Sequence, residues 1–286
     1  MGSLSDRLLE MAEGFEGTLG LVVKDLKDGD EVTYQDHLKF GAASVIKVPI
    51  LWELLRQVEV GAVSLEERLA VPGSAKVGGT GILKELHDGI ELTVQDLATL
   101  MIVVSDNTAT NLIIDRLGMD RINATIKEIG LRDSSLKRKM MDFEAKKMGK
   151  DNIVSARDMA LILEHMALGR LLRRDLCEQA INIMLRQQMN NKLPRGLLLC
   201  PNCKRAVKDY PQCPWCYLDL RKNPPSGARL AHKTGELAGV EHDVGVLLLP
   251  DRAVVIVVLT SDLKDNEIGI RFIGDVAAEV ARYYAA

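Results

Sequence analysis

Ala253-Val254-Val255-Ile256-Val257-Val258-Leu259-Thr260-Ser261 is among the longest apolar runs of the chain and has the composition of a buried β-strand. It falls far short of the roughly 18–20 residues that cross a bilayer, so no membrane span is predicted. Upstream, Arg229–Lys233 and His242–Leu249 read as two further strands of a meander, and downstream Glu267–Tyr284 reads as a closing amphipathic helix. The other end of the chain has matching elements. Leu4, Leu8, Leu9 and Met11 stand at helical spacing, and Thr18–Leu26 and Glu31–Gln35 read as strands joined by the turn Asp28-Gly29-Asp30. Between these ends, from Ser44 to about Asn191, the helical period dominates, with segments near 45–58, 64–69, 93–103, 106–116, 119–129, 155–168 and 175–190.

Strands at both ends with helices between them predict an α+β fold, in which one mixed antiparallel sheet is built from both ends and flanked by terminal helices. An all-helical lobe is inserted into it. The expected division is residues 1–40 with 224–286 as the α/β lobe, 41–195 as the helical lobe, and 196–222 as a separate insertion without periodicity. The 286 residues carry 37 Lys and Arg against 40 Asp and Glu, a net charge of −3, which argues against a general electrostatic grip on nucleic acid. A composition 47% hydrophobic supports a sizeable core, and with 11 Met and equally few aromatics that core is mostly aliphatic. The basic run Arg132–Lys150 reads as a solvated loop, because aromatics do not interleave it.

Three short motifs carry chemistry. Ser44-Val45-Ile46-Lys47 opens an apolar helix after Phe40-Gly41-Ala42-Ala43, which places a hydroxyl and an amine on one helical face. A Ser hydroxyl at neutral pH needs a base in reach, and a Lys serves when its neighbours depress its pKa. Alone the pair says little, since Ser134/Lys137 and Ser261/Lys264 share the spacing. Ser105-Asp106-Asn107 lies between the apolar run Leu97–Val104 and a new helix, and Lys233-Thr234-Gly235 at the end of a predicted strand. S-x-x-K followed by S-D-N and K-T-G is a combined signature of serine acyl transfer.

With these motifs in this order, the chain resembles the class A β-lactamase and penicillin-binding serine acyltransferase family. The resemblance covers almost everything outside residues 196–222, and the Asp88-Gly89 turn before Thr93-Val94 and Thr108-Ala109-x-Asn111-Leu112 support it. It implies Ser44 as nucleophile, Lys47 as its base or the orienter of its base, and Ser105 as proton relay to the leaving nitrogen. It also implies that Asn107 binds the substrate amide and braces Lys47, while Lys233 and Thr234, with Gly235 beside them, hold the substrate carboxylate. The backbone N–H groups of Ser44 and Glu236 would form the oxyanion hole. Lys47 close to Lys233 would lose proton affinity through burial and like-charge repulsion.

The chain departs from the family pattern in two places. A loop Glu that activates the deacylating water is expected between Lys139 and Met141, where no acid stands; Asp142 and Glu144 are the nearest candidates, and a loop-surface role is the commoner one for both. The Arg expected beyond the K-T-G strand is replaced by Glu241-His242-Asp243, and Glu236 sets a negative side chain beside a site meant for carboxylates. Slow release of the acyl group is the expected consequence of the missing loop acid, and an altered substrate preference that of the second departure.

Cys200-Pro-Asn-Cys203 and Cys213-Pro-Trp-Cys216, nine residues apart, have zinc-ribbon spacing; four thiolates would hold one structural Zn²⁺ with no open position, and two disulfides or iron are the alternatives. Cys177 reads as a buried apolar residue. Such a site and the lack of an export signal favour the cytoplasm, whereas a signal removed ahead of Met1-Gly2-Ser3 would place the protein in the periplasm or outside the cell.

The functional expectation is a serine hydrolase acting on β-lactam amides, with no cofactor for catalysis. Its alternatives are a penicillin-binding D-alanyl peptidase or related amidase or esterase acting on a D-Ala-type peptide, and a non-catalytic module that recruits a protein partner through the ribbon.

Overall fold

A computed structural model describes residues 3–197 and 228–284. The chain begins with α1 (Leu4–Glu13), β1 (Thr18–Asp25), β2 (Glu31–Tyr34) and β3 (Phe40–Gly41), then a 3₁₀ turn over Ala43–Ile46 leading into α2 (Lys47–Glu59). There follow β4 (Arg68–Val71), β5 (Ile90–Thr93), α3 (Val94–Val103), α4 (Asn107–Leu117), α5 (Met119–Ile129), α6 (Phe143–Lys147), β6 (Ile153–Val154), α7 (Ala156–Leu168), α8 (Arg174–Met184) and α9 (Leu193–Leu197). The C-terminal part is β7 (Arg229–Leu237), β8 (Val240–Leu248), β9 (Ala253–Ser261) and α10 (Asn266–Tyr284).

The five-stranded sheet has the order β2-β1-β9-β8-β7, every pair antiparallel, so strands from both chain ends share it. Its centre is covered on both faces. Val255, Val257 and Leu259 of β9 point into the larger core around Trp52, Leu51 and Leu54 of α2, while Val254, Ile256 and Val258 point into a second core formed with Leu8 of α1 and Val276 and Val280 of α10. Double coverage explains why β9 reads as an unbroken apolar run instead of an alternating one. Helix starts are set by local chemistry: Ser3 with Asp6, and Thr93 with Asp96, form capping boxes at α1 and α3.

Several boundaries differ from the sequence expectation. The helical block is not all-helical, because β3 pairs with β6 and β4 with β5 in two small sheets. Residues 64–69 form no helix: Leu65 O and Glu67 O accept from Gln95 N and Val94 N at 3.0 and 2.8 Å, which draws this stretch toward β5 and the start of α3. The helix expected over 175–190 stops at Met184. There Gln187 donates from Nε2 to Ile102 O (2.9 Å), and its Oε1 accepts from Gln188 N and Met189 N at 3.0 and 3.1 Å, turning the chain toward β7. Lys233-Thr234-Gly235 lies inside β7, not at its end. Among the described residues no helix is long and apolar enough to cross a membrane. The cysteines expected to bind zinc, Cys200, Cys203, Cys213 and Cys216, lie outside the described residues.

Candidate active site

The three motifs meet where the helical block faces the outer edge of β7, the last strand of the sheet among the described residues. Ser44, half-buried, sits on the 3₁₀ turn immediately before α2, one residue after Ala43 with its positive φ of 43°. Lys47, the first residue of α2, is fully buried. Its Nζ lies 2.8 Å from Ser105 O, 3.0 Å from Ser105 Oγ and 2.9 Å from Asn107 Oδ1. Burial, and then the charge of Lys233, lower the Lys47 pKa well below the ordinary lysine value, against a smaller opposing pull from Asp106.

Ser105 adopts a left-handed backbone (φ 55°), a costly conformation for a side chain of this kind. It is fixed from both sides, by Thr80 Oγ1 donating to Ser105 O (2.8 Å) and by Asn107 N donating to Thr80 O (3.1 Å). Asp106 caps α4 through Ala109 N (2.9 Å) and also accepts from Ile82 N and Leu83 N at 2.6 and 2.8 Å. Within the S-D-N motif, therefore, the Asp is structural and the flanking Ser and Asn face the lysines.

Lys233 reaches the same hydroxyl, with Nζ 3.1 Å from Ser105 Oγ and 2.8 Å from Thr234 O. Burial and the charge of Lys192 bring its pKa down to about 7, with Asp243 opposing them. Thr234 Oγ1 rests against Met189 Sδ at 3.3 Å. Gly235 is where β7 touches the 3₁₀ turn: a Cβ there would lie 3.1 Å from Ala43 Cβ and 3.3 Å from Ser44 N. The strand thereby brings the Ser44 amide close to the peptide that follows Gly235. Glu236 is exposed.

The loop residues considered as deacylation bases stand apart from this cluster. Asp142 caps the short α6 by accepting from Ala145 N at 2.9 Å. Glu144 is 79% exposed and ion-pairs with Lys147 at 2.8 Å. Met140 packs on the core while its main chain is held by both ends of the Asn111 amide, at 2.8 and 3.1 Å. The next side chain, Met141, turns the other way: its Sδ would be 3.0 Å from a Cβ on Gly79, and the same Cβ would be 2.6 Å from Asn107 Nδ2. A thioether, not an acid, thus borders Gly79 beside Asn107. The basic run around this loop is matched by carboxylates, Arg138 by Asp151 (2.8 Å) and Lys139 by Asp115 (2.5 Å).

His242, at the position where an Arg was expected, is buried and structural. Its Nε2 lies 2.9 Å from Gly41 O, its Nδ1 accepts from Thr260 N (3.1 Å), and burial lowers its pKa to about 4. Cys177 is buried, which raises its thiol pKa to about 11. Sequence reasoning missed the segment Met189–Leu193, which grips β7 and β8 from behind: His232 Nε2 is 3.3 Å from Asn190 Oδ1, and Leu193 N donates to Asp243 Oδ2 at 3.1 Å. Only the polar interruption Asn190-Asn191-Lys192 after a helical stretch pointed to it.

The β-lactamase of Bacillus licheniformis is 24% identical over 284 residues, spanning 98% of this chain and 83% of that one. Among solved structures, the β-lactamase from Sphaerobacter thermophilus superposes with a TM-score of 0.80 at 30% identity over 96% of this chain and 95% of that one. PBP-A superposes with a TM-score of 0.81 at 28% identity over 98% and 95%. Residues 3–284 match the Beta-lactamase enzyme family, to which the chain belongs as a serine hydrolase of the class A β-lactamase type.

Proposed function

We propose that the chain opens β-lactam amides through an acyl-enzyme on Ser44 and releases the acyl group slowly. The observation that carries this reading is the single hydroxyl of Ser105 held between two buried lysine amines, at 3.0 and 3.1 Å. Ser44 Oγ adds to the amide carbonyl carbon as its proton passes to the neutral Lys47 amine. The oxyanion that forms is held between the N–H groups of Ser44 and Glu236. As the C–N bond breaks, Ser105 Oγ gives its proton to the leaving nitrogen and is reprotonated from the lysine side. Asn107 binds the substrate amide; Lys233 and Thr234 hold its carboxylate, with Gly235 leaving room beside Ser44. The family's reaction needs no cofactor.

Slow release follows from the loop. Asp142 is committed to a helix cap and Glu144 to Lys147 in solvent, so neither is assigned as the deacylating base. A mass measurement after incubation with benzylpenicillin tests the reading. A lasting adduct on the wild-type chain and none on Ser44→Ala is the expected result; no adduct, or one that survives in Ser44→Ala, overturns it.

From spacing alone we further propose that Cys200, Cys203, Cys213 and Cys216 hold one structural Zn²⁺, that the ribbon so formed offers a surface to a protein partner, and that the protein works in a reducing compartment. Elemental analysis should find one zinc per chain. Thiol titration of the denatured, unreduced protein that detects Cys177 alone would instead establish disulfides and refute all three statements.

A further inference from the structure

Lys192 is fully buried, yet nothing in the acyl-transfer motifs accounts for it. Its Nζ donates to Gly235 O at 2.9 Å and to His242 O at 3.3 Å, and it ion-pairs with Glu241, which is buried as well. Glu241 is held in turn by Asn266, whose Nδ2 donates to Glu241 Oε1 (2.7 Å) and to Leu237 O (2.8 Å). Burying an ammonium is expensive, and a partner carboxylate only partly offsets the cost. The placement of this one has a consequence for the oxyanion hole.

Gly235 and His242 are register partners across β7 and β8, so an ammonium that bridges their carbonyls turns the Gly235 C=O toward β8. A trans peptide sets C=O and N–H in opposite directions. The N–H of the same peptide unit, that of Glu236, therefore points away from β8, to the side on which the Ser44 amide lies. We propose that Lys192 is a positioning residue of the oxyanion hole, its ammonium fixing and polarising the Gly235–Glu236 peptide so that the Glu236 N–H is a stronger, prealigned donor. Hydrogen bonds in series strengthen one another, and a donor fixed in advance needs no reorganisation when the charge develops. Glu241 is the ammonium's ion-pair partner, and Asn266 keeps Glu241 in place. This inference rests on the acyl-enzyme reading above, in which Glu236 N–H faces the oxyanion.

The test compares the wild-type chain with Lys192→Met and with the double variant Lys192→Met/Glu241→Gln, which removes both charges and leaves no unpaired buried carboxylate. The double variant supplies the answer should the single one fail to fold. Acylation by benzylpenicillin is expected to slow about tenfold, less than the 10²–10³-fold typical for deleting a whole oxyanion donor. The ester carbonyl stretch of the acyl-enzyme, read by infrared difference spectroscopy, is expected to move to higher wavenumber, a signature that loss of packing alone would not produce. Lys192→Arg, which keeps the cation, should recover part of both. A folded double variant with wild-type carbonyl stretch and acylation rate overturns the role of Lys192 while leaving Ser44 acylation standing; a wild-type chain that forms no adduct overturns both.

Discussion

Lys47 and Lys233 meet at one atom, Ser105 Oγ, which lies 3.0 Å from the first amine and 3.1 Å from the second. Burial lowers both pKa values; the charge of Lys233 lowers that of Lys47 further, and the charge of Lys192 lowers that of Lys233 further. The remaining neighbours differ. Lys47 faces neutral acceptors on Ser105 and Asn107, with Asp106 opposing its downward shift, whereas Lys233 comes down to about 7 with Asp243 opposing. Geometry thus sets one hydroxyl, Ser105 Oγ, between two buried amines in different surroundings.

The first prediction concerns pH. Below about 7 Lys233 is charged and attracts a carboxylate; above it the amine is neutral and the attraction fades. Acylation by a penicillin bearing its free carboxylate should decline as pH rises past that value, with the bound carboxylate itself displacing the decline upward. The corresponding neutral ester should show no such alkaline limb. Rate constants measured from about pH 5 to 9 for both compounds decide the matter, and superimposable profiles would remove Lys233 from carboxylate recognition.

Deacylation supplies the second prediction. Met141 borders Gly79 beside Asn107, whereas Met140 packs into the core. Met141→Glu should accordingly raise the slow steady-state phase that follows a one-equivalent burst with a chromogenic cephalosporin, by tenfold or more if the carboxylate orders a water. Met140→Glu should destabilise the protein instead, and Glu144→Gln should leave both phases within about twofold. Adduct accumulation specific to Glu144→Gln would identify Glu144 as the base.

Much of this arrangement is legible in sequence because it is local. Ser44 and Lys47 lie one turn apart, Asp106 is an N-cap, and the apolar runs of β1 and β9 announce a sheet covered on both faces. What escaped the sequence is tertiary. Arg68–Val71 is a strand only because Ile90–Thr93 lies beside it. Lys233 and Thr234 look like the polar end of a strand, yet both are buried at its middle because Ser105 and Met189 meet their polar atoms. Lys192 was invisible for the same reason, since its carbonyl partners are 43 and 50 residues away.

The third prediction tests the contact between β7 and the 3₁₀ turn. In Gly235→Ala the new Cβ would press on Ala43 Cβ at 3.1 Å, and on Ser44 N and His242 Cβ at 3.3 Å. Overpacking of this kind costs about 1–3 kcal/mol, and here the strain falls on the Ser44 amide. Acylation should slow by 10-fold or more while the unfolding midpoint in urea moves only as far as that cost requires. A variant with lowered stability and unchanged acylation would show that the contact supports the fold and not the oxyanion hole.

The last prediction follows from His242, which is neutral in the folded protein because burial lowers its pKa to about 4 from an ordinary 6.5. As pH falls below 6.5 the unfolded chain takes up a proton that the folded chain refuses, so the contribution of this group to stability is intact above 6.5 and is lost progressively down to about 4. A gap of that size corresponds to about 3 kcal/mol, at 1.36 kcal/mol per pH unit. Asp243 and the Lys192–Glu241 ion pair lie next to it, so the informative quantity is the difference between wild type and His242→Gln. The amide side chain can still donate to Gly41 O and accept from Thr260 N, two of the three contacts of the imidazole, at 2.9 and 3.1 Å, the third being Nδ1 with Glu241 O at 2.9 Å; the variant should lose only about 1 kcal/mol at pH 7.5. Urea unfolding at half-unit steps from pH 7.5 to 4 should then show the wild-type curve falling toward the variant's and crossing it in the acid range. Parallel curves would mean that His242 takes up its proton equally in both states and that its place between β3, β8 and β9 is not what makes the fold acid-sensitive.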